Sequence, residues 1–387
     1  MSAWQSYFPI VQQRVRRRNF RALFLFVTSR CNSLCRTCFY FDKLNSRDDL
    51  TFDQIRRMSE TAPPFEKLWL SGGEPFLREE LPEIVALFAR NNGVRNVNLP
   101  TNGLLPDRIF RAMDSMLRAA PEVSIDLNFS LDGLANTHDV IRGVPKNFER
   151  TLATIREAGQ RYKGTRRLRR NVLSVITREN YHEILDLGMK LAADDRIDGQ
   201  YFEVLRGQAP DPTLKNITRR QVEELHHKLM PFHEHYAQKL FAHLPAGVRQ
   251  FATMYYLGNL RLHFDLHEKC FDGPQKWPMP CTAGETTIVI DHNGRFRSCE
   301  MRDIAGDLAS FDYNISAALD SAAMRDEVAA IARANCWCTH SCFIQESSKF
   351  SPRVQLFHVP WAWLRTRWRR LPRLSAELER FRALEVG

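Results

Sequence analysis

"LFLFVTSRCNSLCRTCFY", residues 23–40, decides how this chain is read. It opens with an apolar run of strand length at 23–28 and passes into a polar loop that carries Cys31, Cys35 and Cys38. In parallel α/β folds, binding sites gather at the C-terminal ends of strands, which is where this loop lies. A structural zinc site wants a fourth protein ligand, and no histidine lies near. Three thiolates within eight residues suit an iron–sulfur cluster, whose ligands are cysteines, with one iron left open. The Asn, Ser and Arg between them do not form a core pattern.

Beyond the loop the chain alternates. Strand patterns fall at 67–72, 94–100, 123–133, 171–177 and 200–207. Helical patterns fall at 52–60, 81–90, 106–120, 147–159 (with a stop expected at Gly159) and 181–194. Six strands joined by helical crossovers predict parallel βαβ units, here a partial (β/α)6 barrel. The strand ends again carry the unusual residues: "SGGEP" (71–75), "PTNG" (100–103) and "SLDG" (130–133). Residues 213–265 read as polar helix, and the histidines at 226, 227, 233, 235, 243, 263 and 267 read as solvated helix faces.

CxxxCxxC after the first strand of such a fold resembles the radical S-adenosylmethionine (SAM) superfamily. The resemblance covers roughly residues 22–207. It implies that Cys31, Cys35 and Cys38 hold a 4Fe–4S cluster whose open iron is chelated by SAM. Reductive cleavage would then give a 5′-deoxyadenosyl radical that takes hydrogen from an unactivated C–H bond. The residue before the third cysteine is Thr37, where many family members have an aromatic, so the adenine contact is expected at Phe39 and Tyr40. "SGGEP" resembles the family's GGEP stretch. Gly72 and Gly73 would let backbone approach the ligand, and Glu74 would accept a charge-assisted hydrogen bond from the SAM ammonium. Ser130 resembles the position that contacts ribose or carboxylate. Arg142, in "HDVIRG" (138–143), resembles an arginine that reaches the SAM carboxylate.

A second cysteine set follows. Cys281 and Cys299 flank a strand–turn–strand pattern, "TIVI", "DHNG", "RFRS", which reads as a hairpin. "CWCTHSC" adds Cys336, Cys338 and Cys342. The set resembles the C-terminal auxiliary domains of SPASM and twitch type. No cysteine follows 342, which favours one auxiliary 4Fe–4S cluster; a zinc ribbon is the competing reading. Cys270 sits in a proline-rich loop and carries no assignment.

Composition sets the bounds. The chain has 387 residues, 44% of them hydrophobic, and no apolar run nears the roughly 18–20 residues of a membrane span. No apolar region follows the N-terminal arginines, which argues against a secretory signal. A cytoplasmic location, where thiols stay reduced, makes the nine cysteines metal ligands before disulfides. The net charge of +10 is concentrated at the ends: residues 1–30 hold six arginines and no acid, and residues 351–387 hold eight arginines and three glutamates. A near-neutral body argues against nucleic acid and for docking of the basic ends on an anionic membrane or acidic partner. Trp361, Leu364, Trp368 and Leu371 form one helical stripe there. The expectation is that this stripe packs on the body and leaves the arginines solvated.

The expected organisation is a basic extension (1–21), the core (22–212), a helical connector (213–268), an auxiliary-cluster domain (269–350) and a basic tail (351–387). The expected activity is oxidation, crosslinking or epimerisation of a ribosomal peptide, with a flavodoxin- or ferredoxin-type reductant. About 20 residues precede the first strand, too few for a separate peptide-recognition domain of the usual 50 or more. A small sugar, lipid or natural product is therefore the alternative substrate. A non-catalytic zinc- or nucleic-acid-binding protein is the alternative of another class.

Overall fold

The residues of β1 (Ala22–Thr28) are buried throughout and split between two cores. Leu23, Leu25 and Val27 face the main core under the helices. Ala22, Phe24 and Phe26 face a second cluster on the other side of the sheet. A strand buried on both faces belongs in the middle of a parallel sheet, and β1 lies there. The computed structural model describes residues 20–368 together with 374, 378 and 379. The N-terminal extension, Leu371 and the side chain of Trp368 lie outside the described residues.

The other strands of the first half are β2 (Lys67–Gly72), β3 (Asn96–Thr101), β4 (Ser124–Ser130), β5 (Leu168–Ile176) and β6 (Gly199–Val204). All pair in parallel in consecutive order. The crossovers are α1 (Phe52–Thr61), α2 (Leu81–Asn92), α3 (Pro106–Ala119), α4 (Ala135–Arg142), α5 (Asn147–Arg161) and α6 (Ile184–Ala192). Thr51 and Gln54 close a capping box on α1, and proline stands in the first turn of α2 and α3, where its missing N–H costs nothing. The expected stop at Gly159 falls inside α5. A Cβ there would meet the Arg196 side chain at 2.4 Å, so this glycine serves helix packing rather than termination.

The sheet continues past β1. β7 (Thr287–Ile290) pairs in parallel with β1, and β8 (Arg295–Arg297) and β9 (Gly306–Asp307) extend the edge antiparallel. The order β6-β5-β4-β3-β2-β1-β7-β8-β9 makes one open sheet that includes the hairpin expected between Cys281 and Cys299. Then come α9 (Ile315–Leu319), α10 (Ala322–Arg333), α11 (Ser341–Lys349) and α12 (Val359–Trp368); α7 (Arg219–Leu240) and α8 (Ala246–Cys270) precede the hairpin. Phe343 of α11 stacks on Phe24 of β1 with ring centroids 5.3 Å apart. Glu346 of α11 is buried and bonded to Lys67, with Lys349 at 3.0 Å and Arg21 at 3.9 Å. The concave face of the sheet is thus filled by the chain's own later segment.

The connector histidines correct the sequence reading. His226, His233, His263 and His267 are buried between α7 and α8. His226 stacks on Phe264 at 3.9 Å and bonds Glu268 at 3.0 Å. They are aromatic core residues, because two long helices bury their facing sides whatever the polarity of the composition. Burial pushes all four imidazoles down to about 3.

These histidines stay neutral in the fold and charge in the unfolded chain below pH ~6.5. The unfolded state then binds more protons, so stability falls as pH drops through 6.5 toward 3, by up to about 5 kcal/mol per pH unit for four groups. Melting temperature measured from pH 7.5 to 5 should fall steeply. His233→Leu should flatten the slope by about a quarter, since neither ring nitrogen of His233 has a hydrogen-bond partner among the described residues.

Candidate active site

The end of β1 and the end of β2 meet backbone to backbone. Gly73 N–H donates to the Thr28 carbonyl and Glu74 N–H to the Arg30 carbonyl, each at 2.8 Å. A Cβ on Gly72 would lie 2.1 Å from the Thr28 oxygen, and one on Gly73 would lie 2.1 Å from the Arg30 oxygen. The close approach that these glycines permit is to β1 itself. It fixes where the cysteine loop departs. Asp49 then accepts from Thr28 Oγ1 (2.5 Å) and Ser29 N–H (2.7 Å), and Asn45 Oδ1 accepts from Cys31 N–H at 3.0 Å. Arg36 N–H donates to the Ile141 carbonyl at the end of α4. Asn102 Nδ2 donates to Asn32 Oδ1 at 2.7 Å.

The loop closes over a cavity of about 200 Å³ at the C-terminal ends of the strands. Cys31, Cys35, Cys38, Phe39, Tyr40, Gly72, Gly73, Glu74, Ser130 and Arg142 all line it. Every cluster- or SAM-binding candidate of the first half of the sequence is brought together here.

Glu74 is fully enclosed, and burial pushes its carboxyl up to about 7. Its oxygens accept from Asn102 N–H (2.8 Å), Thr101 Oγ1 (2.9 Å) and Phe76 N–H (3.4 Å). A carboxylate has about four acceptor positions, which leaves one for a ligand. Arg142 is also enclosed. Burial opposes its charge, but Asp132 and Cys35 outweigh that and hold its pKa above the ordinary value. Its Nε lies 2.6 Å from Asp132, and its Nη1 lies 3.9 Å from Cys35 Sγ. The guanidinium is therefore anchored beside the thiol. Tyr40 differs from Phe39: its hydroxyl is tied to His292 Nδ1 at 2.5 Å, which joins the loop to the β7–β8 hairpin.

Two residues of this cavity escaped the sequence reading. Glu203 and Arg206 stand at the end of β6 and line the same space. They are bonded to each other, and Arg206 lies 3.4 Å from Glu300 Oε2, the same oxygen that His340 Nε2 meets at 2.5 Å. His340 and Arg206 overcome the cost of burial and hold Glu300 at about 2. Arg206 also sits over the Phe39 ring at 5.6 Å. Their place at a strand end was the available signal.

The thiols share one local device. Burial pushes Cys31 up to about 12, Cys38 to about 11 and Cys338 to about 12. Against this, the amide two residues on faces the sulfur at Cys31 (Ser33), Cys38 (Tyr40), Cys281 (Ala283), Cys299 (Met301) and Cys338 (His340). Such amides favour the thiolate, the form that binds metal. Among the described residues, no three His, Cys, Asp or Glu side chains converge as one metal ion requires. At a Zn–S distance of about 2.3 Å the sulfurs would sit within about 4 Å of one another. A cluster places each thiolate on its own iron and spreads them further.

An open parallel β/α sheet with three thiols at the end of its first strand defines a cluster-binding α/β enzyme class. Residues 25–188 match the Radical SAM superfamily, so the chain carries a Radical SAM domain, and that superfamily implies a 4Fe–4S cluster and SAM. Among curated proteins it is 33% identical to the Fe-coproporphyrin III synthase of Methanosarcina barkeri over 33% of this chain and 31% of that one. It is 30% identical to the pre-heme d1 synthase of Dinoroseobacter shibae over 46% and 42%. The chain thus spans less than half the length of these relatives. Native anSMEcpe with bound AdoMet and Cp18Cys peptide has the same fold at TM-score 0.52 and 14% identity, over 93% of this chain and 99% of that one. Among the described residues, no helix is long and apolar enough to cross a membrane.

The β1–β2 junction leaves no room for a side chain. Gly73→Ala should cost about 3 kcal/mol in a denaturant titration, the scale of overpacking against atoms that cannot move. Gly247→Ala, where a Cβ meets nothing within 4 Å, should be neutral or stabilising by about 1 kcal/mol.

Proposed function

We propose that this chain is a radical SAM oxidoreductase that takes hydrogen from an unactivated C–H bond of a ribosomal peptide or protein. The observation that carries the reading is the convergence of Cys31, Cys35, Cys38, Glu74, Ser130 and Arg142 on one cavity. The residues fit the expected group: an odd set of three enclosed thiols, two of them faced by amides, with a cation beside the third. A 4Fe–4S cluster with SAM supplies, when bound, the reductive cleavage that yields a 5′-deoxyadenosyl radical.

This chain's own residues bind, orient and exclude water. Cys31, Cys35 and Cys38 would hold the cluster, and loading releases their protons. Arg142, fixed by Asp132, balances the thiolate charge at Cys35. Glu74 keeps one acceptor position for the SAM ammonium. Ser130 and Phe39 would contact ribose and adenine, and Gly72 and Gly73 hold the turn at the β1–β2 junction. Glu203 and Arg206 face the same space from β6 and would meet the substrate.

A second, auxiliary 4Fe–4S cluster would be held by Cys281 and Cys299 together with two of Cys336, Cys338 and Cys342. Cys281, Cys299, Cys336 and Cys342 pack in one cluster with Phe24 and Phe26 of β1, and Cys338 packs against the neighbouring cluster. The peptide class is supported by the fold shared over nearly the whole chain with peptide-bound anSMEcpe. A small-molecule substrate is the second reading, favoured by curated relatives such as the GTP 3′,8-cyclase of Acidothermus cellulolyticus. A flavodoxin- or ferredoxin-type protein would supply the electron. The cysteine usage fits a cytoplasmic setting.

Anaerobically purified protein should carry about eight irons, two four-iron clusters, and form 5′-deoxyadenosine from SAM with dithionite. Cys35→Ala should abolish that product and lose about half the iron. Cys281→Ala with Cys299→Ala should lose the other half. Colourless, zinc-loaded protein would overturn the reading.

A further inference from the structure

The C-terminal helix is apolar on two sides, and the side with Val354, Val359 and Ala362 packs on the body. A π-helical turn (Val354–His358) runs into α12. Val354, Val359 and Ala362 are buried in a cluster with Leu262, Leu266 and Trp277. Val359 and Trp363 come so close to α8 that only glycine fits at 258. The opposite side carries Leu356 (67% exposed), Phe357 (69%), Trp361 (52%) and Leu364 (38%). The stripe containing Trp361 and Leu364 was expected to pack on the body, but it faces outward. Smaller residues do the packing. Further on, Leu374 and Leu378 are buried in the main core.

The rim of the face is cationic. A groove of about 770 Å³ runs beside it, walled by Trp277, Met279 and Trp361. Lys269, Lys276, Arg353 and Arg365 border it, and all four are exposed. Asp265 is the one acid in its lining, and it is already bound by Arg261 and Arg365. Exposed Trp, Phe and Leu on one helical face, flanked by Lys and Arg, is the composition of a helix that lies in a membrane interface. Self-association through this face would bring the cationic rims of two copies together, since a two-fold interface uses the same patch on both.

We propose that this face is a peripheral membrane contact. Leu356, Phe357, Trp361 and Leu364 enter the acyl boundary of an anionic bilayer, and Lys269, Lys276 and Arg353 meet its lipid phosphates. The contact is independent of the catalytic reading: it needs neither cluster nor SAM, and it would hold if the substrate class were wrong.

The test is flotation of the full-length, cluster-loaded protein with vesicles of phosphatidylcholine, with and without phosphatidylglycerol. The wild type should float with the anionic vesicles at low salt, and less as salt is added. Leu356→Gln with Phe357→Gln should lower partitioning at least tenfold. Lys276→Gln with Arg353→Gln should lower it about 25-fold, at roughly fivefold for each basic residue near an anionic surface. All four positions are exposed, so melting temperature should not change. Three results would each overturn the proposal. One is no flotation at low salt. Another is flotation that both double variants leave intact, which would put the contact elsewhere. The third is a wild type that sediments as a dimer or captures polyglutamate in preference to vesicles, which would assign the face to a second copy or an acidic peptide.

Discussion

Everything at the cavity depends on one contact without side chains, the meeting of Gly72 and Gly73 with the Thr28 and Arg30 carbonyls. Two strand ends are held at hydrogen-bond distance just where each turns out of the sheet. The cysteine loop then begins at a defined point, and Glu74 follows directly, aimed inward. A side chain at either glycine would separate the two turns, and with them the thiols from the carboxylate. Conformational freedom is only part of the role. Gly72 has φ +130°, but at Gly73 the restriction is space alone.

The second constraint acts on the other edge of β1. β7 pairs there in parallel, and Tyr40 bonds His292 just past that strand, so the later cysteines are placed relative to the first three by the sheet itself. The junction is held on the inner side by Glu346, enclosed among Lys67, Lys349 and Arg21. Burying these charges is costly, and such a network adds little net stability over an apolar equivalent. Removing Glu346 alone would leave buried cations unpaired, at about 3–5 kcal/mol. Its effect is positional, because α11 can seat Phe343 against Phe24 in only one register if Glu346 is to meet all three cations.

What was legible in the sequence was local. β2 matches its expected span, and the first ends of α1 to α3 fall on the expected residue, because a capping box and prolines mark them; α5 also starts where expected, without either mark. The cavity residues Cys31, Cys35, Cys38, Gly72, Gly73, Glu74 and Ser130 were legible because they follow or end recognisable strands, and Arg142, at the end of α4, because of the motif around it. The rest depended on pairings between distant segments. Nothing near residue 287 announces that β7 will join β1. Beyond their place at a strand end, nothing near residue 203 announces that Glu203 and Arg206 will face the cysteine loop, since that follows from the number and twist of the strands between. The histidines of α7 and α8 misled because a polar composition was read as solvent exposure, although each helix needed only one buried side.

Arg142 shows how a motif can point to a place and leave the role open. Resemblance put an arginine near the SAM carboxylate, and the structure puts this one in the cavity. Its closest partners are Asp132 and Cys35, both belonging to the chain. A guanidinium carries five donors in a rigid fork, so an ion pair at Nε and a contact at Nη1 leave donors for a ligand. The same group can therefore brace the cysteine loop against β4 and still face what enters. Asp132 is fully buried and also accepts from Val175 N–H, so the brace reaches β5. The electrostatics of the first cysteine loop are thus set from the far side of the cavity by strands that carry no cysteine.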